Sequence, residues 1–368
     1  MGEFSVNKEK ILQVLSTVQE PDLKQDLVTL GMIKDIEVGI NQVSFTVILT
    51  TPACPLKELI RKNCTDAIHT QLSPDIQVTV NMTANVTTTR AGTPLISGVK
   101  NIIAVSSGKG GVGKSTVTAN LAMALYRSGA KVGIIDADIS GPSIPVMFGA
   151  EDMQPRISQK DGKNLMIPVQ QWGIKLLSMG FLAPPDSAIV WRGPMASQAL
   201  RQFFGDAEWG ELDYLLIDLP PGTGDMHLTL VQTVPVTGAI IVTTPQKVAL
   251  ADATKGLAMF RQPQINVPIL GIVENMAYFT PAELPDNKYY LFGKDGGKNL
   301  AEKYDVPFLG QIPLVQSIRE GGDEGRPAFL GDDEVTKNAF KLAAEALAQQ
   351  VAIRNATVEN SKPVEMKL

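Results

Sequence analysis

The stretch Gly108-Lys109-Gly110-Gly111-Val112-Gly113-Lys114-Ser115-Thr116 constrains this chain more than any other. It lies between an apolar, strand-like run, Ile102–Val105, and a helical pattern, Val117–Leu125. Glycines at these spacings followed by Lys-Ser satisfy the full phosphate-loop pattern in its strand–loop–helix context. The glycines let successive backbone N–H groups turn inward around phosphate oxygens, and the helix N-terminus adds partial positive charge. The pattern assigns Lys114 to the β- and γ-phosphates and the Ser115 hydroxyl to Mg²⁺, with Thr116 and the loop residues completing the nucleotide cradle.

The surrounding pattern supplies the rest of a fold. Short apolar, β-branched runs recur at Val132–Ile135, Leu215–Ile217, Ala239–Val242 and Ile269–Val273, separated by helical patterns such as Ala249–Phe260. Such runs between helices predict an α/β architecture: a mainly parallel sheet with helices on both faces, and ligands at the carboxyl ends of its strands. A final helix over Glu334–Val351 presents an apolar stripe through Val335, Phe340, Leu342, Ala343 and Leu347 that is expected to pack on the sheet. Ahead of this unit, a smaller α/β domain is predicted from a helix at Lys8–Val18, strands at Ile33–Val38 and Val43–Leu49, a helix at Leu56–Leu72 and a strand at Ile76–Met82. The resulting division is residues 1–87, a linker 88–99 whose threonine-rich start belongs to neither core, an ATPase domain 100–354 and a mobile tail 355–368.

At 368 residues the chain is long enough for two domains. Net charge −5 gives no electrostatic case for nucleic acid as a partner. No window approaches ~18 uninterrupted apolar residues, and the N-terminus lacks the basic start of a secretory signal, so a cytoplasmic protein without a membrane partner is expected. Met1-Gly2 does not make a myristoylation signal, because Val6 stands where Ser or Thr is required. Two cysteines, Cys54 and Cys64, cannot build a four-thiolate site in one chain. His69 and His227 have no metal-ligand spacing and read as surface or packing residues.

Two further strand ends carry carboxylates. Asp136-Ala137-Asp138 follows the second apolar run, and Asp218 ends a later one, entering Leu219-Pro220-Pro221-Gly222-Thr223-Gly224-Asp225. Asp218 has the placement expected of a residue holding Mg²⁺ through water. Phosphoryl transfer to water needs position and charge stabilisation, not a covalent nucleophile.

The loop Lys109-Gly110-Gly111-Val112-Gly113-Lys114-Ser115 resembles that of the ParA/MinD class of ATPases. The resemblance implies that Lys109 reaches across an ATP-sandwiched homodimer, that Asp138 lies by the attacking water and the metal shell, with Asp136 the weaker candidate, and that Asn275 contacts adenine. Longer strings narrow the match: Asp136-Ala137-Asp138-Ile139-Ser140-Gly141-Pro142-Ser143-Ile144-Pro145, Trp191-Arg192-Gly193-Pro194-Met195, Asp218–Asp225 and Val273-Glu274-Asn275-Met276. Together they resemble the Mrp/ApbC family of iron–sulfur cluster carrier ATPases over Lys100–Leu330. Glu20-Pro21-Asp22 with Thr50-Thr51-Pro52-Ala53-Cys54-Pro55 is similar to the small iron–sulfur-assembly domain that often precedes the ATPase. The resemblance implies ATP, Mg²⁺, apoprotein acceptors or assembly factors, and an iron–sulfur cluster as cargo. It also exposes a departure, since Ala277–Tyr290 lacks the Cys-X-X-Cys pair expected after Glu-Asn-Met. Cys54, near a helix start expected to lower its thiol pKa, is then the candidate ligand; Cys64 reads as helix interior. Three other readings stay open at this point: a partner-binding switch that holds no cluster, partitioning in the ParA/MinD manner, and a kinase or ligase whose substrate is covered by Pro155–Met195.

Overall fold

The computed structural model describes residues 6–90, 95–96, 98–160, 162–182, 193–281, 283–284, 287–358 and 362–364. Met1-Gly2, Trp191-Arg192 and part of the tail therefore lie outside the described residues. In the first domain, helix α1 (Lys8–Leu15) is N-capped by the Asn7 side chain, which accepts from the Lys10 amide at 2.9 Å. Strands β1 (Ile33–Gly39) and β2 (Gln42–Leu49) form an antiparallel hairpin, and α2 (Lys57–Gln71) crosses over to β3 (Gln77–Ala84), parallel to β2. Alternation along β2 sends Val43, Phe45, Val47 and Leu49 inward, onto Ile11, Leu15, Ile60, Cys64 and Ile68.

The second domain is built on β4 (Val99–Ser106), α3 (Lys114–Arg127), β5 (Val132–Asp136) and a short α4 (Ile144–Met147). A hairpin, β6 (Arg156–Lys160) with β7 (Lys163–Ile167), precedes β8 (Val169–Gln171) and β9 (Ile174–Ser178). Then come α5 (Gly193–Gly205), β10 (Leu212–Asp218), α6 (Asp225–Thr233), β11 (Gly238–Thr243), α7 (Lys247–Phe260), β12 (Ile269–Glu274), α8 (Gly296–Tyr304), β13 (Phe308–Gln311), α9 (Gln316–Asp323) and α10 (Glu334–Thr357). The eight strands order as β8-β9-β5-β10-β4-β11-β12-β13, all parallel except the β8–β9 pair. Both faces are covered: α3, α4 and α10 contribute to one core and α5 to α8 to the other. This is the architecture read from the sequence, with additional strands β8, β9 and β13 toward its two edges that no long apolar run announces.

Three expectations change. The stripe of α10 is Thr336, Phe340, Ala343, Ala344, Leu347, Ala348 and Val351, while Val335 and Leu342 are exposed; the 3.6-residue period places those two on the opposite face. The helix also continues to Thr357, past the expected start of the tail at Asn355. The expected linker, moreover, is stitched to the amino end of the sheet at its start. Asn101 Nδ2 and Asn355 Nδ2 both donate to the Thr87 carbonyl at 3.0 Å, Thr88 Oγ1 donates to the Lys100 carbonyl, and Arg90 donates to the Val99 carbonyl. Buried amides require partners, and this segment supplies them.

The two domains meet at the same end. Thr51 Oγ1 and the Tyr214 hydroxyl form a buried hydrogen bond of 3.0 Å, Ala53 and Val86 enter the core of the second domain, and Gln349 Nε2 donates to Asp22 Oδ1 at 2.7 Å. Tyr214→Phe is expected to leave Thr51 with one fewer buried partner and to cost about 1 kcal/mol. The check is urea unfolding of the full chain, where the midpoint should fall with an unchanged slope.

Candidate functional site

The carboxyl ends of β4, β5 and β10 converge on the N-terminus of α3. Lys114, the first residue of α3, is 6% exposed. Its Nζ lies 2.9 Å from Asp218 Oδ1 and 3.8 Å from Asp138 Oδ2. Ser115 Oγ donates to Asp218 Oδ2 at 2.6 Å, and Thr118 Oγ1 lies 2.8 Å from Asp218 Oδ1. Parallel register brings the carboxylates together, since Asp218 pairs with Asp136 across β10 and β5.

Asp136 and Asp138 divide their work. Asp136 is fully buried and turned into the protein, accepting from Ser178 Oγ at 3.0 Å and from the Ile144 and Asp138 amides at 3.2 Å each. Burial, then the neighbouring Asp218 charge, raise its carboxyl pKa well above the usual range, with Lys114 opposing. It ties the end of β5 to β9 and to the start of α4, and so fixes the loop that carries Asp138. Asp138 faces Lys114; burial raises its carboxyl pKa too, and Lys114 again opposes.

The phosphate loop is held from both sides. A Cβ on Gly108 would meet the Asp252 carbonyl carbon in α7 at 2.0 Å, a clash with backbone that nothing flexible relieves. Gly113 has φ +80°, and a Cβ there would lie 2.2 Å from Asn275 Nδ2. Gly110 and Gly111 are exposed at the loop's tip, and Val112 turns into the core. The half-buried Lys109 forms no ion pair among the described residues.

Asn275 donates from Nδ2 to the Val112 carbonyl at 2.9 Å, and its own amide donates to the Thr243 carbonyl at 2.8 Å. Just before it, Glu274 is buried at the N-terminus of α8, where it accepts from the Gly297 amide and from Gln311 Nε2. Beside the phosphate loop, a largely apolar cavity of about 540 Å³ is lined by Thr116, Asn275, Met276, Pro142 and Met147, and closed by Pro313–Val315. With Nδ2 committed to Val112, Asn275 Oδ1 is its free acceptor.

Cys54 is elsewhere. Its loop sits at the interdomain contact, at the amino ends of the strands, away from Lys114. The expectation of a lowered thiol pKa is corrected: burial raises it, and Glu20, Asp22 and Glu345 add to the rise, outweighing the Leu56 backbone hydrogen bond. Cys64 is fully buried in the first domain, its thiol pushed up to about 12 by burial. Among the described residues no group of three or more His, Cys, Asp or Glu could hold a metal ion, and no helix is long and apolar enough to cross a membrane.

Sequence reasoning did not single out Thr118, Ser178, Met276 or Pro313. Thr118 was findable, one helical turn beyond Lys114 and on the same face; Ser178 ends a distant strand, Pro313 follows another, and Met276, though inside the quoted Glu-Asn-Met string, has its place in the cavity only through the fold.

Comparisons with known proteins identify the family. The family described as NUBPL iron-transfer P-loop NTPase matches residues 98–351, and the iron–sulfur cluster assembly protein family matches residues 8–81. The iron–sulfur cluster carrier protein of Synechocystis sp. is 49% identical over 348 residues, covering 94% of this chain and 96% of its own length. That of Deinococcus radiodurans is 47% identical over 350 residues, with 94% and 96% covered, and that of Escherichia coli K12 is 43% identical over 340 residues, with 92% and 89% covered. Among solved structures, the nucleotide-binding protein of Archaeoglobus fulgidus in complex with ADP is 42% identical, with a TM-score of 0.56 over 65% of this chain and 91% of that one. The chain therefore belongs to the iron-transfer P-loop NTPases, in the branch that carries an N-terminal iron–sulfur assembly domain.

Proposed function

We propose that this protein binds ATP with Mg²⁺ at the carboxyl end of its sheet, hydrolyses it slowly, and uses the cycle to assemble or transfer iron–sulfur clusters to apoproteins. The observation that carries the reading is the convergence of Lys114, Ser115, Asp138 and Asp218 in one buried cluster at the mouth of a complete phosphate loop. The donor set of a hydroxyl and carboxylates fits Mg²⁺, which prefers hard oxygen ligands and keeps part of its hydration shell. Ser115 would hold the ion directly and Asp218 through water, with Asp138 at the edge of the shell. When bound, the ion neutralises charge on the β- and γ-phosphates.

The chain's own groups do the remaining work. Backbone amides of Gly108 to Thr116 cradle the phosphates, Lys114 offsets developing charge, and Asp138 orients the attacking water. Asn275 Oδ1 accepts from the exocyclic amine of adenine and faces a repulsive carbonyl in guanine, favouring ATP over GTP. Lys109 reaches the nucleotide of a second copy, making the working form a homodimer. Its acceptors are apoproteins or assembly factors in the cytoplasm, with neither nucleic acid nor membrane required.

The cluster itself does not fit a site within one chain. Cys64 is core, and Cys54 is a lone thiol held toward its neutral form by burial and three carboxylates. That observation favours a second reading, in which the ATP state controls partner binding and the partner supplies the thiolates.

Three outcomes test these statements. Asp138→Asn is expected to lower kcat by roughly 100-fold with ATP affinity little changed, measured by phosphate release and nucleotide titration. Lys109→Ala is expected to abolish ATP-dependent association in analytical ultracentrifugation and to slow hydrolysis; if both were unchanged, the shared-site dimer would be excluded. Anaerobic iron and sulfide reconstitution of wild type and Cys54→Ser decides the cargo question. Bound cluster lost in the variant makes the chain a carrier with an unusual ligand set, whereas no cluster in a wild type with intact ATPase activity supports the scaffold.

A further inference from the structure

The chain has two histidines, and one lies behind the phosphate site. His227 is in the first turn of α6, three residues after Gly224, and is 1% exposed. Its Nε2 lies 3.2 Å from Oγ of Ser106, the last residue of β4 before the phosphate loop. Its Nδ1 is buried and has no hydrogen-bond partner. Burial pushes the imidazole down to about 4, so the ring is neutral near pH 7 and carries one proton. A neutral imidazole has one donor and one acceptor nitrogen, and burial makes an unmet one costly.

The loop before α6 rests on the same few residues. The Leu219 amide donates to the Val105 carbonyl at 3.1 Å and the Gly222 amide to the Ser107 carbonyl at 2.8 Å. A Cβ on Gly110 in the phosphate loop would lie 3.9 Å from Pro221 Cγ. Ser106 thus stands between two backbone anchors of the Leu219–Asp225 loop, and its side chain holds the helix into which that loop runs. The Gly224 carbonyl, the last before α6, accepts the His227 backbone amide at 3.1 Å and favours the proton on the ring. The ring therefore spans the phosphate-loop strand and the far end of the Leu219–Asp225 loop, with its Ser106 bond made and Nδ1 near the Gly224 carbonyl but short of bonding geometry.

We propose that His227 is a positioning residue coupling the Leu219–Asp225 loop to the phosphate loop, with Nε2 anchored on Ser106 and Nδ1–H closing onto the Gly224 carbonyl when the loop engages the γ-phosphate. The inference rests on the ATPase reading above and gives that reading an output. Along α6, Thr229 Oγ1 donates to Ser197 Oγ on α5 at 2.8 Å, and the Val231 carbonyl accepts from the Val364 amide at 2.8 Å. A shift of α6 that follows the closing bond is delivered to α5 and to the segment beyond α10.

Having two imidazoles makes the test direct. In full-length protein labelled with ¹⁵N-histidine, His69 is the internal reference, and the spectrum of His227→Gln assigns the other ring. With Mg²⁺ and a non-hydrolysable ATP analogue, His227 Nδ1 should move to the position of a protonated, hydrogen-bonded nitrogen. With Mg²⁺ and ADP it should not, and His69 should stay still in both. In steady-state assays His227→Leu should lower kcat roughly 5-fold with KM for ATP within twofold. His227→Gln, whose carboxamide keeps a donor and an acceptor, should recover most of it. Ser106→Ala should match the Leu variant, and the double variant should lose no more. An active wild type whose His227 signals are the same with ADP and the ATP analogue overturns the coupling and leaves the ATPase standing. A wild type that neither binds the analogue nor releases phosphate overturns both.

Discussion

Lys114 lies among carboxylates buried at the carboxyl end of the sheet, and much of the second domain is arranged around that fact. Asp218 is fully buried, Asp138 nearly so, and Asp136 stands directly across the ladder from Asp218. Charges out of water are tolerated only where they are paired, hydrogen-bonded or neutralised. Each remedy is present. The ammonium serves Asp138 and Asp218, the hydroxyls of Ser115 and Thr118 serve Asp218, and Asp136 is pushed toward its neutral form while Ser178 and two backbone amides satisfy its oxygens. The arrangement requires a helix that starts at Lys114, parallel strands in one register, and a glycine-rich turn joining them.

That turn is held in shape by residues far along the chain. Gly108 is glycine because α7 passes against it, and Gly113 because Asn275 does. The hydrogen bond from Asn275 to Val112 spans 163 residues, and that between His227 and Ser106 spans 121. Its outward carbonyls and neighbouring hydroxyls are the handles by which the end of β12 and α6 grip it. A preorganised cradle of this kind loses little reorganisation energy when charge develops on the nucleotide.

These spans explain what could be read in the sequence. The phosphate loop, its flanking strand and helix, and the apolar runs ending in Asp136 and Asp218 are local patterns, so the central sheet was legible. The β-branched runs were long enough to mark β4, β5, β10, β11 and β12, but β13 is four residues with a glycine inside it, and β8 is three. Thr118 beside Asp218, Ser178 on Asp136, and the double duty of Asn275 depend on packing between elements and have no signature in one dimension. Cys54 misled for a physical reason. A helix start lowers a thiol pKa only while the thiol stays wet and free of anions, and the interface that buries Cys54 also brings Glu20, Asp22 and Glu345 to it.

The same interface decides how the two domains can speak to each other. Nucleotide chemistry is assigned to the carboxyl ends of the strands, whereas the small domain is docked at their amino ends through Thr51 on Tyr214 and Pro52 beside Gly129. Tyr214 and Asp218 lie on one strand, about 13 Å apart, and Lys114 and Gly129 bracket one helix. Strand β10 and helix α3 are largely buried, and each runs from the docked end of the sheet to the site. Residues 87–89 add further ties at that end, to Asn101, Arg354 and Asn355. An interface that buries Cys54 beside Glu20, Asp22 and Glu345 favours the proposed reading in which partners bring their own thiolates over one in which Cys54 alone holds a cluster.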